Sequence, residues 1–203
     1  MFASVPNLGK EGRRKGEAVS YSHKQGEPMS YWYIFWVLTG HEGQVKKRIT
    51  EQLSDEDIVP FIPLWESLFK RAGKVKREFN IMFPGYVFIE SDLESKEFRQ
   101  RTLQIIRTSK DIIEILSYGN SDEIAVREDE RTTFLSLCND NHCIEASMGF
   151  IEGDRFYIES GPMVGMESVI KEINRKKMEA SFEMKFAGEI RKFTVGLNLL
   201  RKI

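Results

Sequence analysis

The chain has 203 residues, 41% hydrophobic and 30% charged, a composition that supports a packed core and excludes global disorder. Lys plus Arg number 30 and Asp plus Glu 31, a net charge of −1, so any case for nucleic acid or membrane must come from local clusters. With two cysteines, no apolar run near the ~20 residues of a membrane span and no signal-peptide pattern, we expect free thiols, a cytoplasmic protein and no membrane contact.

Residues 1–28 are rich in Gly, Ser, Lys and Glu without helical or strand period and read as a disordered tail, with Arg13, Arg14 and Lys15 a solvated charge run. Tyr31 to Leu38 is an aromatic and aliphatic strand ended by Gly40. Trp32, Ile34 and Trp36 point one way and Tyr33, Phe35 and Val37 the other, so this strand is expected to be buried on both faces, one against helices and the other against more helices or a partner. Val45, Ile49 and Leu53 recur at helical spacing, with Lys46, Lys47 and Arg48 on the outer face. Ile58 to Leu64, interrupted by Pro60 and Pro63, reads as an edge strand, and Lys70 to Arg77 as a glycine-containing loop or hairpin. Ile81 to Ile89 is read as one strand bent at Pro84-Gly85. Phe98, Thr102, Ile105 and Ile106 mark a second helix, Ile112 to Leu116 a strand, and Val126 to Leu137 a third helix with acids in its first turn, where the helix dipole favours them.

Asp140 to Phe150 has no period and reads as a linker. After it, Gly153 to Ile173 reads as two short strands joined by a Gly161-Pro162 turn, because tight turns use glycine's access to positive φ and proline's fixed φ. Ala180, Phe182, Met184 and Phe186 alternate strictly with polar residues, and Ile190 to Val195 and Leu197 to Ile203 supply two more strands. The expected organisation is a tail over 1–28, an α+β unit over 29–139 with an antiparallel sheet and helices, a linker over 140–149, and a five-stranded all-β barrel over 150–203.

Nucleotide-binding and hydrolase signatures (P-loop, GxGxxG, HExxH, GxSxG) are missing from the sequence, so no catalytic residue is assigned, and neither a cofactor nor a metal is expected. The Cys138/Cys143 pair with His142 lacks the further ligands a zinc site needs. A cysteine-dependent enzyme is kept as a rival and predicts a reactive thiol. Three basic clusters stand out. Lys70, Arg71, Lys74, Lys76 and Arg77 place five positive charges in eight residues without an acid, the concentration that phosphate-backbone binding uses. Lys171, Arg175, Lys176 and Lys177 bunch into one turn, with Arg191 and Lys192 further on, a weaker signal for RNA.

Two ordered motifs carry a resemblance. The strand YWYIFWVLTGHEGQVKKRI followed by FPGYVFIE, upstream of GDRFYIESGPMVGMESVIKEI, resembles the NusG family, the last segment being its KOW motif. The resemblance implies an amino-terminal NGN-type domain followed by an SH3-like KOW barrel. It also implies that an aromatic face contacts the clamp helices of RNA polymerase. The matching positions are Phe83, Pro84, Gly85 and Tyr86, with Trp32, Tyr33 and Leu38 from the first strand. Phe186 falls where the family meets a small-subunit ribosomal protein or the Rho factor. Ser168 and the Ala187-Gly188-Glu189 run depart from the family's pattern, which favours a specialised processive antiterminator of the RfaH or LoaP type over the housekeeping factor. The resemblance implies a monomer, with nascent RNA or non-template DNA as the other partner. A ribosome-associated KOW protein with a structural role is the alternative from another class.

Overall fold

The computed structural model describes residues 30–53, 57–119 and 122–201; the tail expected over 1–28 lies outside them. The first sheet is built from β1 (Tyr31–Val37), β2 (Ile58–Phe61), β5 (Tyr86–Ser91) and β6 (Ile112–Ile115), in the order β2-β5-β1-β6 with every pairing antiparallel. Pro60 therefore sits on an edge strand, where its missing N–H costs no ladder bond. The helices α1 (Glu42–Gln52) and α2 (Ser95–Thr108) cover the odd-numbered face of β1. Tyr33, Phe35 and Val37 pack there with Val45, Ile49, Phe98 and Ile105. Tyr33 stacks on Phe98 at 3.7 Å between ring centroids and donates its hydroxyl to the Leu93 carbonyl at 2.6 Å.

Two departures from the sequence reading lie next to each other. β3 (Leu64–Arg71) and β4 (Lys74–Ile81) form a hairpin longer than the charged segment alone, closed by Ala72-Gly73. The segment 81–89, read as one bent strand, is instead broken. β4 ends at Ile81 in one sheet and β5 begins at Tyr86 in another, with Gly85 at φ +87° in the connection. After α3 (Glu128–Leu135), the stretch expected as a linker carries β7 (Cys143–Ile144), which pairs in parallel with Leu64 and Trp65 of β3.

The carboxy-terminal part is a five-stranded sheet in the order β10-β11-β12-β8-β9. Its strands are β8 (Ser147–Glu152), β9 (Arg155–Ser160), β10 (Ile170–Asn174), β11 (Glu179–Phe186) and β12 (Glu189–Arg201). β9 and β10, expected as a hairpin, lie at opposite edges of this sheet; the glycine-proline loop and a 3-10 turn at Glu167–Val169 carry the chain across. Met163 in that loop is fully buried, its N–H donating to the Ser147 hydroxyl at 3.1 Å. The two strands expected beyond Ile190 are one, β12, continuous through Gly196. The fold is thus an α+β amino-terminal NGN-type unit followed by a small SH3-like β barrel.

The even-numbered face of β1 does not end in solvent. Trp32 and Ile34 share one core with Phe61, Phe88 and Phe134 from the first part and with Phe182, Phe186, Phe193 and Val195 from the barrel. Burying an aromatic side chain of this size contributes roughly 1.5–3 kcal/mol, so a handful of such contacts is enough to seat the barrel on the sheet.

Candidate functional site

The Phe83-Pro84-Gly85-Tyr86 turn is held by its backbone. Gly85 donates its N–H to Glu42 Oε1 at 2.6 Å, and its carbonyl accepts from the Val37 N–H at 2.8 Å. Glu42 is 2% exposed at the start of α1. Burial works against its charge, yet hydrogen bonds from the backbones of Gly85, Glu42 itself and Gly40 hold its carboxyl below the usual range. A carboxylate at a helix N-terminus also suits the helix dipole. The positive φ of Gly85, with Thr39 Oγ1 only 3.1 Å from where a Cβ would stand, makes this a position for glycine.

The turn presents Phe83 and Tyr86 on the even face of the sheet. Phe83 is half-buried: its ring stacks on Phe186 of β11 at 5.4 Å and 9°, and meets Phe88, Phe134 and Phe193 at 5.4–5.8 Å. Tyr86 is also half-buried, with the Arg191 guanidinium 5.9 Å over its ring. Ile34, Phe83, Tyr86, Phe88 and Leu116 line one side of a narrow apolar crevice, and Phe186, Ala187 and Arg191 the other. The barrel therefore lies over the aromatic face.

Of the other residues expected on this face, Trp32 and Tyr33 have no exposed surface. Trp32 is enclosed by Phe61, Phe88, Phe134 and His142, and Tyr33 lies on the opposite, helix-covered face. Leu38 is open at 43%, and Pro84 is exposed. Trp36 was not singled out by the sequence, yet it is 41% exposed and pairs directly with Tyr86 across the sheet. Its period-two relation to Trp32 and Ile34 was the signal available. Trp36, Leu38 and Tyr86 form the part of the face the barrel leaves open.

A hydrogen-bonded group closes the seam between the two parts. Glu130 of α3, 2% exposed, accepts from the Tyr118 hydroxyl at 2.7 Å and from the Gly188 N–H at 3.3 Å, with Lys185 Nζ at 3.6 Å. Burial first, and the bond to Glu130 next, push the Tyr118 phenol far above its ordinary value, so it stays a donor. Ala187 and Gly188, both at positive φ (52° and 82°), make the two-residue turn between β11 and β12. This mirror-image turn type fits the twist of a hairpin. Ser168, by contrast, sits in the 3-10 turn and is not among the positive-φ residues.

The basic residues separate by position. Lys70, Arg71, Lys74, Lys76 and Arg77 all lie on the exposed β3–β4 hairpin, and Arg77 pairs with Glu66 at 3.2 Å. Lys171, Arg175, Lys176 and Lys177 are exposed along β10 and the turn after it. Lys192 is engaged by Glu172 at 2.8 Å, and Arg191 by Glu189 at 3.3 Å. The cysteine rival finds no activated thiol. Burial raises Cys138 to about 12 and Cys143 to about 11, so both stay protonated near neutral pH.

A family model described as "Transcription termination factor nusG" matches residues 30–135. A Thermus thermophilus protein named "Transcription termination/antitermination protein NusG" is 26% identical over 155 residues, covering 72% of this chain and 84% of that protein. A Lactococcus lactis protein of the same name is 23% identical over 159 residues, covering 75% and 83%. A solved structure titled "Domain interaction in Thermotoga maritima NusG" has a TM-score of 0.44 and 21% identity, covering 84% of this chain and 94% of that one.

Proposed function

The chain belongs to the NusG family, and from that premise we propose that it is a processive antiterminator that binds RNA polymerase through the Phe83-Tyr86 face and acts without covalent chemistry. The observation that carries this reading is the Glu42-braced turn, which holds Phe83 and Tyr86 beside the open Trp36 and Leu38 on one sheet face. An apolar strip of that kind suits the tip of a helical hairpin, the shape of the polymerase clamp helices. Phe186 and a polymerase cannot occupy Phe83 together, so engagement requires the barrel to lift. The barrel and the basic hairpin are then available to nascent RNA, exposed DNA or a second factor. Two modest contacts joined in one chain act at high effective concentration.

The departures at Ser168 and Ala187 favour a specialised factor over the housekeeping one. The test is transcription by purified bacterial RNA polymerase through an intrinsic terminator and, separately, through a Rho-dependent one. Raised read-through at terminators on the factor's own operon template is expected. Stimulated Rho-dependent termination would identify the housekeeping activity instead.

A further inference from the structure

We propose that the outer face of the barrel holds a binding site for a small zwitterion, a free α-amino acid whose ammonium is taken by Glu179 and whose carboxylate is taken by Lys177. The site lies apart from the aromatic face, and neither reading depends on the other.

Strand register assembles the site. Side chains two apart on a strand share a face, and directly paired residues share one too. The row Glu172–Ser181–Thr194 crosses β10, β11 and β12, and Asn174 pairs with Glu179 beside it. The turn after β10 adds Lys177, whose N–H donates to Asn174 Oδ1 at 3.1 Å. These six residues, with Lys192, line a cavity of about 190 Å³. Their face is the reverse of the one that sends Ala180, Phe182, Phe193 and Val195 into the core.

One group in the cavity is not accounted for by the fold. Ser181 is 5% exposed, and its hydroxyl has no hydrogen-bond partner among the described residues. A buried hydroxyl left unbonded is unfavourable, and native structures keep few of them. Lys192 of β12 reaches Glu172 of β10 at 2.8 Å, so that ion pair spans β11, the strand that carries Ser181. Both arms are long and more than half exposed, so the pair opens readily and lets a ligand reach the hydroxyl beside it.

The charges select the ligand. Glu172 and Lys192 satisfy each other, whereas no ion pair of Lys177 or Glu179 is found among the described residues. One unpaired cation and one unpaired anion on a small cavity match a molecule that carries both charges. A phosphate needs a surplus of cations, which the two glutamates cancel, and a metal ion is repelled by the two lysines. No ring lines the cavity for a nucleobase to stack on. Ala180 is the one apolar residue among those lining it, which favours a ligand with a polar side chain.

The full chain is titrated calorimetrically with L-glutamine, with N-acetyl-L-glutamine, which lacks the ammonium, and with L-glutamine amide, which lacks the carboxylate. L-Glutamine is expected to bind with a Kd of about 1 mM or tighter, and each blocked form at least about tenfold more weakly. Glu179→Gln and Lys177→Gln are each expected to weaken L-glutamine at least about tenfold, and Ser181→Ala about threefold or more. Lys171→Gln, on β10 but outside the cavity, is expected to leave the affinity unchanged. Lys177→Gln lies at an exposed turn position, where the fold is kept and the change reads binding alone. No binding of L-glutamine by about 10 mM, blocked forms that bind as well as the parent amino acid, or parent-like affinity in Lys177→Gln or Glu179→Gln overturns the proposal. A loss in Lys171→Gln equal to that in Lys177→Gln also overturns it, since the effect would then be one of general charge.

Discussion

Gly188 cannot carry a side chain while the barrel is seated. A Cβ there would come within 2.8 Å of the Tyr118 ring, and its φ of +82° disfavours L residues. Gly188→Val is therefore expected to unseat the turn from Glu130, seen as faster amide exchange at residue 188 and a lower melting temperature. The hairpin turn offers the opposite case. Ala72 holds φ +51° ahead of Gly73, where the two-residue turn favours Asn-Gly. Ala72→Asn is expected to stabilise the protein by about 0.5–1 kcal/mol, read as a higher urea midpoint at unchanged slope. A third residue sets a pH dependence. His142 stacks on Phe61 at 3.8 Å, and burial pushes its imidazole below its ordinary 6.5. As pH falls the unfolded chain takes up that proton first. The contribution is thus complete above about pH 6.5 and is lost progressively below it. His142→Asn, which tolerates the positive φ of 53°, is expected to flatten the urea midpoint between pH 7.5 and 5.5 relative to the parent.

Among the elements, β1 and β11 were legible because period two is a local property. The two-faced aromatic pattern of Tyr31–Val37 foretold burial on both faces, but the face expected against more helices or a partner meets α3 and the chain's own barrel. Where the reading of strands failed, the deciding contact was remote in sequence. Pro84-Gly85 looked like a bend, but Glu42, 43 residues upstream, draws the Gly85 N–H into a connection between two sheets. The segment around Gly196 was taken for a break between strands. Its glycine instead permits close approach, since a Cβ would meet the Glu66 carbonyl at 2.3 Å and the Ala146 Cβ at 2.8 Å. Gly196→Ala is accordingly expected to push β3 off β12 and destabilise the protein by more than the ~1 kcal/mol typical of point changes, measured by urea denaturation. The resemblance at FPGY pointed to Phe83 and Tyr86 as candidates, whereas the enclosure of Trp32 by Phe61, Phe134 and His142 depends on elements no local pattern joins.

At the scale of the molecule, the sheet face proposed here to meet a polymerase is partly covered by the protein's own barrel. The cover is chiefly aromatic. Phe186 fully buried contributes about 2–3 kcal/mol, while the half-exposed Lys185 adds well under 1 kcal/mol through Glu130. In the proposed reading a partner displaces the Phe186 ring from Phe83, and the exposed Trp36, paired with Tyr86, is where displacement would start. The most direct measurement is the affinity of the full chain for purified bacterial RNA polymerase, compared with Tyr86→Ala and Phe186→Ala. The account predicts a loss of about tenfold or more for Tyr86→Ala. It predicts tighter binding for Phe186→Ala, because the barrel no longer competes for Phe83. Parent-like affinity in Tyr86→Ala, or no gain in Phe186→Ala, would contradict it.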